Sequence, residues 1–374
     1  MVLGAGFGGL ELTASLSEKL GENLDLILID KNDSFFFGYS KLDVMFGRRS
    51  PQSVRHAYSR IKKPGVTFLQ ENIMDIDPEK RLVTTENRTC EADVLVVALG
   101  ADYDIPATPG LAEGGYEFYS FGGAERISRM LPGIEKGHLL IGVTGFPFKC
   151  PQAPSEVALL LHDFLVHQGV RNKCQISLVV PFELPIPPSY GASKELLEKF
   201  AKKGIAYIPE MMVGAIDPGR KVAELDDGRE IAFDLFLGIP EHCVPAVVEK
   251  SGLVFDEWVP VNRNNLKTKF PNVYAIGDLT SVGTPKAGIF ARAAARAAAD
   301  SIVSEYSGME FAGGYTGNGQ CYVEVGEGKV GRVDVDFFSG PVPRGVHLRA
   351  TAALAEEKLH LEMSCRSRWF GEQG

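Results

Sequence analysis

The chain has 374 residues, 45% of them hydrophobic and 23% charged, with a formal net charge of −9. That length supports two or three domains with real cores, and the acidic balance excludes nucleic acid and docking on anionic lipid by charge alone. No apolar run reaches the roughly 18 residues of a membrane span, and the N-terminus lacks the basic-then-apolar pattern of a secretory leader. The six cysteines (Cys90, Cys150, Cys174, Cys243, Cys321 and Cys365) form no CxxC pair and no zinc-type spacing with histidine, so no metal centre is expected. For each of them a small buried apolar side chain is the plain alternative to a chemical role.

"VLGAGFGGLELTASLSEKL" reads as a strand end, a glycine turn and a helix with Leu10, Leu12, Leu16 and Leu20 near helical spacing. Only Met1–Leu3 precede the turn, a short strand ahead of which residues are expected to be missing. "LDLILID" follows as a buried parallel strand ending in Asp30. Gly4 permits the tight turn, Gly6 lets the backbone approach a pyrophosphate, and Gly9 lets helix and strand pack closely. The helix N-terminus offers free N–H groups to phosphate. Asp30, with its neighbour Lys31, stands where a carboxylate accepts ribose hydroxyls.

The stretch from Val66 reads as a meander of short strands, then a strand over residues 94–99 ending at Gly100. A second strand, loop and helix begin at "GHLLIGVTG", with the helix from about Ser155 to Gln168. "CQISLVVP" is the next strand, and "SKELLEKFAKKG" a helix closed by Gly204. "KVAELDDGREIAFDLFLGIP" is a hairpin with Asp-Gly at its turn, feeding a buried strand. "NVYAIGD" then leads into an alanine-rich helix. Beyond about residue 305 come Gly-rich loops, alternating strands and a last helix. The expected fold is α/β: two Rossmann-like domains of the FAD/NAD(P)-binding type plus a small C-terminal β-rich and helical domain. Residues 1–105 with 265–305 form the first, 106–264 the second and 306–374 the third.

"GAGFGG" with Asp30, "VLVVALG" and "NVYAIGD", in that order, make the chain resemble two-dinucleotide-binding-domain flavoproteins of the pyridine nucleotide-disulfide oxidoreductase superfamily. The resemblance implies bound FAD, with a backbone contact at Gly100 and with Gly277-Asp278 on its ribityl or pyrophosphate part. Leu99 stands where these proteins usually have threonine. "GLAEGGYEFYSFGGAERI", "FPFKCPQAPSEVALLL", "TPKAGIFARAAARAAA" and "GNGQCYVEVGEG" are similar to sulfide:quinone oxidoreductases and the flavoprotein subunit of flavocytochrome c sulfide dehydrogenase. That family lacks a working nicotinamide loop and carries two redox cysteines, at the places of Cys150 and Cys321 here.

This resemblance implies sulfide oxidation by thiol–disulfide exchange. Lys149 and the positive end of the following helix are expected to hold down the pKa of Cys150. Glu156 is a candidate acid/base, with helix-dipole stabilisation as its alternative. Lys286 is placed by the resemblance at the flavin, where a donor stabilises the reduced form. Gly38, in "SFFFGYSK", stands where some relatives attach the flavin through cysteine, which implies non-covalent FAD. Phe337 and Phe338 are implied to flank a quinone, although strand alternation alone turns one of two neighbours inward. Cys243, beside His242, is expected in a loop without a role.

The acceptor reading is quinone, or alternatively a cytochrome c partner. Peripheral membrane contact through the last segment, with Trp369-Phe370, and a homo-oligomer stay open; the expected location is cytoplasmic or on the inner face of the membrane. A type II NADH:quinone reductase is disfavoured because "GVTGFPFKCP" lacks GxGxxG, and Pro147 and Pro151 remove N–H donors. A flavin-binding interaction protein is the non-enzymatic alternative.

Overall fold

In the computed structural model, which describes residues 1–311 and 313–371, two parallel sheets carry the architecture. The first has the order Val273–Ala275, Leu95–Val97, Val2–Leu3, Leu26–Asp30, Val66–Gln70, with every pairing parallel. Such strands are covered on both faces, so they read as apolar runs without alternation. The helix Phe7–Leu20 makes the crossover between Val2–Leu3 and Leu26–Asp30, and it packs against the helix Gly288–Ser307. Buried Ala294, Ala295 and Ala298 let those two helices approach closely. Thus a strand and a helix from residues 273–307 complete a unit begun at residue 2.

The second sheet runs Tyr116–Glu117, Leu235–Ile239, Gly137–Val143, Cys174–Val179, Ile205–Ile208, again all parallel. Helices Ala153–His167 and Tyr190–Lys203 belong to it. Each half also carries a three-stranded antiparallel meander, Ile73–Asp77 to Thr89–Glu91 in the first and Val213–Asp217 to Glu230–Ala232 in the second. The segment from Val66, expected to be all meander, therefore divides: its first strand joins the parallel sheet. A ribbon of Asp102–Asp104 against Glu241–Cys243 ties the halves together.

The C-terminal unit is an antiparallel sheet of Asn318–Glu324, Val330–Asp336 and Arg344–Thr351, followed by the helix Ala352–Phe370. Thr351 caps that helix by accepting from the Leu354 N–H at 3.2 Å. Its inward stripe holds Leu354, Lys358, Glu362, Cys365, Trp369 and Phe370. Trp369 is 1% exposed, donates through its indole N–H to Glu11 at 2.8 Å, and packs among Phe7, Phe35 and Phe37. The suggested membrane contact through Trp369-Phe370 is thereby corrected: both rings face the core. Among the described residues, no helix is long and apolar enough to cross a membrane.

Candidate active site

A cleft of about 500 Å³ runs along the end of the first sheet, and Gly4, Gly6, Asp30, Lys31, Gly100, Gly277 and Asp278 all line it. Gly4 (φ +96°) makes the turn, and its N–H donates to the Ile29 carbonyl at 2.8 Å. Gly9 stands behind the turn, where a Cβ would meet the Gly4 carbonyl oxygen at 1.8 Å. A Cβ on Gly6, by contrast, would meet nothing within 4 Å: it would fill the space that a phosphate needs. Asp30 is held by the Ala5 N–H at 2.8 Å and by Asn32 at 2.8 and 2.9 Å. These residues fit a dinucleotide.

Deep in the cleft, burial raises the carboxyl of Asp278, opposed by the charges of Lys149, Lys286 and Lys41. Lys286 donates to the Asp278 carbonyl at 2.6 Å and lies 3.0 Å from the Trp258 ring centre. Burial pushes its ammonium down to about 7. Its side chain belongs to the wall of an apolar cavity rather than to that of the dinucleotide cleft.

A smaller cavity of about 170 Å³ adjoins the cleft, sharing Cys150, Lys149, Lys41, Ala287 and Gly288 with it. Cys150 and Cys321 both line this smaller space, with Glu156. The two cysteines are free thiols here, brought into one wall by the second sheet and the C-terminal sheet. Cys150 follows the strand Gly137–Val143 in a left-handed turn (φ +48°); its N–H donates to the Lys286 carbonyl and its own carbonyl accepts from Ala153, each at 2.8 Å. Burial pushes both thiols up to about 12, and Asp278 and Glu156 add to the effect at Cys150.

This corrects the expected role of Lys149. Its ammonium turns away to the Ala101 carbonyl at 2.5 Å and lies 4.6 Å from the Tyr103 ring centre. The lysine whose charge favours a Cys150 thiolate is Lys41, which donates to the Tyr119 carbonyl at 2.5 Å and lines both cleft and cavity. No sequence motif marks Lys41; only the tertiary fold brings it here.

Glu156, in the first turn of the helix Ala153–His167, is 5% exposed and accepts the Glu324 N–H at 2.8 Å. Burial raises its carboxyl to about 7, which suits proton exchange near neutrality. Cys243 is half-buried in the inter-half ribbon and lines none of the three cavities described; His242 beside it is buried against Tyr103 and Tyr119 and pushed down to about 3. Cys365 lines the cysteine cavity, a position its sequence context did not mark.

The apolar cavity, about 480 Å³, lies where the second half would hold its nucleotide. Pro147, Phe148, Phe182 and Pro185 wall it, and Cys321 and Phe337 stand on its other side. Phe338 does not reach it: that ring stacks under Arg263 (4.4 Å) and against Tyr315 (5.6 Å). Both rings lie just past the end of the strand Val330–Asp336, and of the two Phe337 alone lines this cavity.

The profile of the pyridine nucleotide-disulphide oxidoreductase family matches residues 1–299, and the chain belongs to that family of flavoprotein oxidoreductases. Within it, the chain is 24% identical over 307 residues to the mitochondrial sulfide:quinone oxidoreductase of Mus musculus, covering 76% of this chain and 66% of that one, just under two thirds. It is also 24% identical over 307 residues to the type II NADH:quinone oxidoreductase of Staphylococcus aureus, covering 75% and 74%. The crystal structure of the sulfide:quinone oxidoreductase from Aquifex aeolicus superposes with a TM-score of 0.84 at 22% identity, over 98% of this chain and 90% of that one, a likeness of fold.

Proposed function

We propose that the chain is an FAD-dependent oxidoreductase of the sulfide:quinone type, with Cys150 and Cys321 as its redox pair. The observation that carries this reading is the meeting of two sequence-distant thiols and a buried acid, Glu156, in one cavity that opens into the dinucleotide cleft. In the oxidised state, hydrosulfide attacks one sulfur of the Cys150–Cys321 disulfide. An S–S bond forms to the incoming sulfur, the old S–S bond breaks, and the products are a persulfide on one cysteine and a thiolate on the other. Glu156 takes up the persulfide proton and returns it. A thiolate is disfavoured in this dry wall, where both thiols sit near 12, so it is poised to give up its electron pair or accept a proton. The glycine turn, Asp30 and Gly277-Asp278 would hold FAD without a covalent link, and a flavin bound there would supply the electron sink for the thiol pair and the donor to the acceptor.

For the acceptor, the apolar cavity supports a quinone. Phe337, Trp258 and Phe290 give it apolar walls, and exposed Phe146, Pro187 and Pro343 mark a greasy mouth through which a ligand from a bilayer could enter. The same cavity speaks against NADH, because prolines and aromatic rings occupy the loop whose N–H groups would hold a pyrophosphate.

The test is anaerobic bleaching of the purified yellow holoprotein. Sulfide is expected to bleach it and NADH is not; the reverse outcome sinks the reading. Cys150→Ser is expected to lower the rate of flavin reduction by sulfide by about a thousandfold or more while leaving the flavin spectrum in place.

A further inference from the structure

We propose that the Glu324–Lys358 ion pair is a positioning device for Glu156, holding its carboxyl at the cysteine cavity in the geometry from which a proton is taken and returned. The proposal rests on the functional reading above, and four separate elements meet to build the device. Glu156 comes from the helix Ala153–His167 and Glu324 from the C-terminal strand that also carries Cys321. Lys358 comes from the last helix, and Arg48 follows the short helix Ser40–Met45.

The Glu324 backbone N–H donates to Glu156 Oε1 at 2.8 Å, inside the protein. The Glu324 side chain is pinned at both oxygens: Lys358 Nζ reaches Oε1 at 2.5 Å and Arg48 reaches Oε2 at 2.5 Å. The residue that fixes the acid is thus itself fixed by two cations, and Arg48 is braced by Asp43 at 2.8 Å. Lys358 does more than brace Glu324. It lines the cysteine cavity together with Glu156 and lies 4.5 Å from the Tyr39 ring centre.

The charges around Glu156 then have a definite balance. Burial and the Glu324 charge disfavour its ionised form, while the Lys358 and Arg48 charges and the Glu324 N–H favour it. On the cavity side the titratable neighbours are the Cys150 and Cys321 thiols and the Tyr119 hydroxyl, with the ammonium of Lys41 on the same wall. Removing the Lys358 charge leaves a buried carboxylate less compensated beside Glu156. The ionised form of Glu156 must then become harder to reach, whereas an ordinary brace would change stability alone.

The experiment is an infrared titration of the holoprotein, following the protonated carboxyl band that Glu156→Gln removes, alongside the pH profile of anaerobic flavin reduction by sulfide. Lys358→Met is expected to move both midpoints up by about one pH unit, and Lys358→Arg to return them to the wild-type value. A Lys358→Met protein that melts earlier but keeps the wild-type midpoint overturns the proposal. If that variant does not fold, Arg48→Met removes the other cation from the same carboxylate, and an unmoved midpoint there overturns it equally. Should sulfide fail to reduce the wild-type protein, the functional reading fails, while the infrared midpoint still decides the positioning role.

Discussion

Glu156 is an acid kept at a cost, and that cost has a measurable sign. Its native pKa, raised to about 7 by burial, lies above the ordinary 4.5, so between those two values the folded state binds the extra proton. Stability contributed by that proton is full below about 4.5 and is lost as pH rises through about 7. Glu156→Gln keeps an oxygen for the Glu324 N–H and removes the charge. It is expected to stabilise the protein at pH 8 by up to about 3 kcal/mol, with little effect at pH 4.5, as measured by urea unfolding. The same variant should slow flavin reduction by sulfide about a hundredfold and flatten its rise through pH 7. A variant no more stable at pH 8 would mean that Glu156 carries no such penalty. Cys150 and Glu156 were legible because a proline-bounded cysteine and an acid stood where a glycine loop was due. The error over Lys149 has a physical root: adjacency in sequence says nothing of direction, and the left-handed turn at Cys150 separates its side chain from its neighbour's.

At the level of elements, the glycine turn separates two jobs that the motif writes as one. Gly9 serves the fold, since a methyl group there would overlap the Gly4 carbonyl, whereas Gly6 faces open space. Gly9→Ala is expected to cost several kcal/mol and to yield little folded protein. Gly6→Ala should fold with near-native thermal stability but lose most of its flavin, read from the ratio of visible to ultraviolet absorbance. Equal flavin content in Gly6→Ala and wild type would remove Gly6 from the binding surface. The parallel strands and crossover helices were readable because burial on both faces leaves apolar runs of the right length. The last helix was less so: its inward stripe includes Lys358 and Glu362, whose partners Glu324 and Arg49 lie elsewhere in the chain. A buried salt bridge looks polar in sequence, and so the stripe is disguised.

For the molecule as a whole, the three spaces converge at the start of the helix Gly288–Ser307, where Ala287 lines each of them. Around that helix the last one is clamped by a buried carboxylate: Glu11 receives Arg296 at 2.6 Å, Arg368 at 3.2 Å and the Trp369 indole. Loss of such a centre takes an ion-pair partner from Arg296 and Arg368 and the acceptor from the Trp369 indole, which accounts for a C-terminal helix committed to the interior. None of this convergence could be read from the chain, since its members lie hundreds of residues apart and no local spacing records them.

Cys321 has a place in two walls, that of the cysteine cavity and that of the apolar cavity, whereas Cys150 belongs to the first and to the dinucleotide cleft. The two thiols are therefore guarded by different occupants. A quinone analogue lodged in the apolar space should shield Cys321 from a thiol-labelling reagent and leave Cys150 labelled at its former pace, a difference that peptide mass mapping of the reduced protein reads directly. Equal shielding of both would place the analogue elsewhere. A sulfur atom with two landlords makes the order of arrival matter: whatever fills the apolar space first decides how much room the departing persulfide has to leave.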